Sequence, residues 1–132
     1  MSVRAEVLNI LERVFRQHGF ASLLLRKADI SKEEMGLASE IVYGTIRNKT
    51  LLEEQWRPFT KHVKPRVAAL LNMSVYQLLF LDSIPSYAVI FEAVELAGKS
   101  EKEFVNAVLR KVQKQGLKKP EGNTIEELAV LT

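Results

Sequence analysis

Residues 67 to 81, VAALLNMSVYQLLFL, are apolar almost all the way round a helix, with only Asn72, Ser74 and Gln77 polar. A helix of that kind has no solvent face, so it must be enclosed by other elements. It is also well short of the ~20 residues that a bilayer span needs. The sequence therefore predicts a bundle of helices packed around this one, with Pro65 suited to its first turn.

The flanking sequence supplies the other helices. Val3, Val7, Ile10, Leu11 and Val14 form a stripe at helical spacing, and Gly19 marks a stop. Phe20 to Ala28 reads as a short second helix. SKEE at 31 to 34 has the capping-box pattern and opens a third, long helix that carries Leu37, Ala38, Ile41, Val42 and Thr45 on through Leu52 toward Trp56, where Pro58 ends it. After the enclosed fourth helix, Tyr87, Ile90, Phe91, Val94 and Ala97 give a fifth its face, and Gly98 closes it. SEKE at 100 to 103 repeats the capping box before FVNAVLRKVQKQG, residues 104 to 116, the sixth. Six helices and no strand make an all-α domain over 1–117. Residues 118–132 read as a Pro- and Gly-bearing linker followed by TIEELAVLT, the start of a further helical segment cut short.

Chemical motifs are missing. The chain has no cysteine and only two histidines, which removes thiolate metal sites and cysteine nucleophiles; no structural metal is expected. The glycines are scattered rather than clustered as a phosphate loop needs. The opening MSVRAEVLNILERV places charges within the apolar pattern, unlike a secretory signal, so a cytoplasmic protein with no membrane partner is expected.

Charge is more informative by position than in total. The formal net charge is +3, yet residues 99 to 119 hold seven bases (Lys99, Lys102, Arg110, Lys111, Lys114, Lys118, Lys119) against two acids, a net +5. The last thirteen residues carry Glu121, Glu126 and Glu127 and no base. Arg110, Lys111, Lys114 and Lys118 lie along one flank of the last helix. They serve either as a solvated face or as contacts to nucleic-acid phosphate. RPFTKHVKPR, residues 57 to 66, offers a second basic cluster, Arg57, Lys61, Lys64 and Arg66, without any acid; Trp56 and Phe59 beside it suit either base stacking or the core.

Taken in order, RAEVLNILERV (4 to 14), ASEIVYGTIRNKTLLE (38 to 53), YQLLFLDSIPSYAVIFEAVELA (76 to 97) and FVNAVLRKV (104 to 112) resemble the N-terminal domain of the bacterial Sun/RsmB family of ribosomal RNA cytosine-C5 methyltransferases, a domain related to the antitermination factor NusB. The resemblance covers roughly residues 3 to 115. It implies a NusB-like bundle of about six to seven helices in two packed helical subdomains, acting as a non-catalytic RNA-binding appendage that helps position small-subunit ribosomal RNA. Its partners would be that RNA and the methyltransferase domain of the full-length protein. S-adenosylmethionine would belong only to that absent domain, so this chain is expected to hold no cofactor. Relatives bind RNA through basic residues near the first helix, a place that Arg4 occupies here. A stand-alone antitermination factor and an intramolecular docking module are the alternatives. Asn106, Tyr43 and Gly44, which lie in the resembling motifs, are expected to act in packing.

Overall fold

The computed structural model describes residues 2–117, and among them every regular element is helical: α1 (Val3–Gln17), α2 (Ala21–Lys27), α3 (Met35–Arg47), α4 (Lys49–Trp56), α5 (Pro65–Phe80), α6 (Ser86–Leu96) and α7 (Lys102–Gln115). Short 3-10 turns at Arg57–Phe59 and Lys99–Glu101 complete it. The linker and terminal segment expected over 118–132 lie outside the described residues.

The enclosed helix is where its sequence requires. α1, α3, α4, α6 and α7 all pack on α5. Its polar positions are buried with the rest, and two of them have visible partners. The Asn72 carbonyl accepts from the Trp56 indole N–H at 2.7 Å, and the Gln77 carbonyl accepts from Arg4 Nε at 2.7 Å. Burial of these amides is tolerable because each is hydrogen-bonded. α1, α2 and α3 pack together on one side of α5, while α4, α6 and α7 gather on the other, which gives the two expected subdomains.

The long third helix is in fact two. At Asn48 the side-chain amide donates to the Gly44 carbonyl at 2.8 Å, closing α3, and α4 starts at the next residue. An asparagine that bonds nearby backbone competes with the helical ladder. The break lets the chain leave α1 and α2, on which α3 packs, and place α4 against α7. The caps also differ from expectation. Ser31 accepts from the Glu34 N–H at 3.2 Å, but the Glu34 carboxylate takes the Ser31 hydroxyl instead of its N–H; at the start of α7 no side chain caps the helix, and the Glu101 N–H bonds the Gly98 carbonyl at 2.8 Å. α1 ends with His18, not Gly19, in the left-handed region at φ 55°.

Gly44 is fixed by packing. A Cβ there would overlap the ring of Tyr76, whose hydroxyl donates to Glu40 at 3.0 Å and whose ring stacks on Phe80 at 5.2 Å. Gly44→Ala is expected to destabilise by about 1–3 kcal/mol, because overpacking outweighs the roughly 1 kcal/mol that alanine gains as a helix former. Urea denaturation checks it: in a Tyr76→Ala background the same change should cost much less, and an unchanged cost would refute the overlap. Tyr43, by contrast, is exposed and does not pack.

Candidate nucleic-acid interface

The two basic clusters, separate in sequence, form one strip. The linker after α4 runs along α7: Lys111 Nζ lies 5.7 Å from the centre of the Phe59 ring, and Lys64 Nζ lies 3.9 Å from Glu101 at the start of α7. Arg57 and Lys61 sit on this linker, while Lys114 projects one turn beyond Lys111. All five bases are exposed. Among the described residues no ion pair involves Lys61, Lys111 or Lys114. The pair that Lys64 makes is long and its side chain is 78% exposed, so it adds little stability and leaves the ammonium accessible to a ligand.

Other expected contacts lie elsewhere. Arg4 is mostly buried and joins three helices, donating from Nε to Gln77 and lying 3.8 Å from Glu92. Arg66 donates to Asn9 at 3.0 Å and to Glu12 at 2.9 Å, tying the start of α5 to α1. Arg110 faces away from the strip, its Nε donating to the Asn106 carbonyl at 3.1 Å, so Asn106 bonds within its own helix and not to a neighbouring one. Lys118 lies outside the described residues.

Beneath the strip a polar chain holds α4 to α5. Trp56 is fully buried, which excludes it as a stacking platform; Arg57 lies over its ring at 4.6 Å, and Phe59 packs partly on the core. Asn72, which accepts from Trp56, donates to Glu53 at 3.2 Å, and Glu53 pairs with Lys49 and Arg57 at 3.3 and 3.4 Å. Burial pushes the Glu53 carboxyl up, but the Asn72 amide, Lys49 and Arg57 together outweigh it and hold the pKa below its ordinary 4.5. A depressed carboxyl stabilises the fold above its unfolded pKa and loses that contribution as pH falls through the folded one. Urea midpoints measured from pH 6 down to 3 should therefore fall less steeply in Glu53→Gln than in the parent; equal slopes would show that Glu53 is not coupled to folding.

One feature was not foreseen. α6 buries Val89, Ile90 and Ala93, which turns Tyr87 and Phe91 outward, 78% and 66% exposed. With Ala88, Val94, Asn106 and Arg110 they line an open groove of about 700 Å³ between α6 and α7. The signal was an excess: SYAVIFEAVELA carries more apolar residues than one buried face can take.

Among the described residues no helix is long and apolar enough to cross a membrane, and no group of three or more His, Asp or Glu side chains is placed to hold a metal ion. Comparison with known proteins gives a consistent result. The model of the NusB family matches residues 1–114. The chain is 38% identical over 137 residues to the probable ribosomal RNA small subunit methyltransferase B of Bacillus subtilis, covering 96% of this chain and 30% of that protein. A Synechocystis protein of the same description is 28% identical over 127 residues, with 28% of its length covered. The transcription antitermination protein NusB of Acetivibrio thermocellus is 30% identical over 108 residues, covering 75% of this chain and 74% of that protein. The chain thus spans less than a third of the methyltransferase relatives and about three quarters of the antitermination one.

Proposed function

Because the chain belongs to the NusB family, we propose that it is a non-catalytic, cytoplasmic RNA-binding domain that holds small-subunit ribosomal RNA for a cytosine-C5 methyltransferase domain. The observation that carries this reading is the strip of Arg57, Lys61, Lys64, Lys111 and Lys114, joined where Lys111 meets Phe59. Its spacing and exposure suit a run of phosphates, and its weak internal pairing leaves the cations available. The 38% identity over 96% of the chain supports the methyltransferase context. S-adenosylmethionine, on this reading, belongs to the methyltransferase domain.

An antitermination-type factor is the second reading, favoured by the 74% coverage of the Acetivibrio relative. The higher identity over more of the chain weighs toward the first.

The test is fluorescence anisotropy with fragments of small-subunit ribosomal RNA over a salt series. With about three phosphates engaged by Lys61, Lys111 and Lys114, log affinity against log salt should fall with a slope near −2 to −3. Absence of salt-dependent binding to any fragment would overturn the proposal, and equal affinity for unrelated RNA of matched length would favour the second reading.

A further inference from the structure

The groove between α6 and α7 presents two exposed aromatic rings one helical turn apart, at Tyr87 and Phe91. Contiguous apolar surface of this kind marks an interaction site. Its charged lining is one acid, Glu92, and one base, Arg110, with Arg4 beside Glu92. That balance suits a peptide with few acids better than a nucleic-acid backbone, which needs several uncompensated cations.

We propose that the groove is occupied by residues 124–131 of this chain, TIEELAVL, with Ile125 and Leu128 against Tyr87 and Phe91. Three observations point to this occupant. The segment places Ile125, Leu128 and Ala129 at i, i+3 and i+4, the spacing of a narrow apolar helical face. It carries Glu126 and Glu127 and no base, so it matches a rim that includes Arg110 and Arg4. It is also within reach. Asn106, on the groove wall, lies nine residues before the end of α7 at Gln115, roughly 14 Å back along the helix at ~1.5 Å per residue. The ten residues from Gln115 to Ile125 span up to roughly 33 Å. Tethering adds a local concentration that a separate partner lacks. Docking here leaves Lys61, Lys111 and Lys114 uncovered, so it is independent of RNA binding by the strip.

The absence of cysteine permits a direct test on the full chain. Ala88→Cys, on the groove wall, is combined with Ala129→Cys, and disulfide closure under mild oxidation is timed. A control pairs Ala129→Cys with Ser22→Cys on α2, which packs on α1 and α3. The groove pair should close within one molecule about tenfold or more faster than the control, at a rate independent of protein concentration. Adding Ile125→Ser and Leu128→Ser should bring it down to the control rate. Equal rates for the two pairs, or disulfides formed mainly between molecules, would overturn the proposal. So would loss of ribosomal RNA affinity in Tyr87→Ala, which would assign the groove to a nucleobase.

Discussion

Leu71→Ala is expected to lower the stability of the domain by about 2–5 kcal/mol, a large share of the total for a chain of this size. Leu71 is completely buried near the middle of α5, surrounded by helices that cannot all move inward to fill the space. The loss therefore includes both the transfer of the removed methyl groups and the cavity they leave. Leu78, which the sequence pattern ranks with Leu71, is only half-buried and should cost less. Lys114→Ala, on the exposed side of α7, should change stability by less than about 0.5 kcal/mol. Urea denaturation of the three variants orders them; a Lys114 effect as large as that of Leu71 would refute the placement of α5 at the centre.

Joint replacement of Lys61, Lys111 and Lys114 by alanine should have the largest effect on RNA. Each phosphate contact contributes roughly 0.7 to 0.9 log units of affinity per decade of salt. Removing three should flatten the salt slope by about 2 to 3 units and weaken binding near 0.1 M salt by on the order of 100-fold or more. Melting temperature should shift little, because these cations make no ion pairs among the described residues. The only packing loss is the Lys111 contact over Phe59, worth about 0.5–1 kcal/mol. Arg66→Ala makes the comparison: it breaks the link to Glu12 and Asn9 and should leave the salt slope unchanged. If Arg66→Ala flattened the slope and the triple replacement did not, the interface would lie on the α1 side.

Helix type and order were legible in the sequence because burial imposes periodicity. α1 shows an apolar stripe, and α5 shows its enclosure as a loss of any polar side. Where one residue decided the outcome, pattern was a weaker guide. Nothing in the apolar spacing of residues 35 to 56 reveals that Asn48 turns its amide back on Gly44. The candidate interface was legible as a list of cations and illegible as a surface. Lys64 and Lys111 are far apart in sequence, and only the course of the linker along α7 brings their neighbourhoods together. Arg4 illustrates the opposite error. Its charge suggested a ligand contact, while its position beneath α6 gives it Gln77 and Glu92 as partners. Sequence shows that a cation exists, but its availability depends on what the fold places within reach.

The central position of α5 bears on how the domain comes apart. α1 and α3 lean on it from one side, and α4, α6 and α7 from the other, so neither half has a core that is complete without the shared helix. Detaching either half would strip one flank of α5 and expose leucines and valines that nothing else covers. Partly unfolded states of that kind are disfavoured by the same burial that stabilises the whole. The two subdomains are therefore distinct in packing but joined in cooperativity: they melt and form as one unit, and a substitution in one half weakens the other through α5.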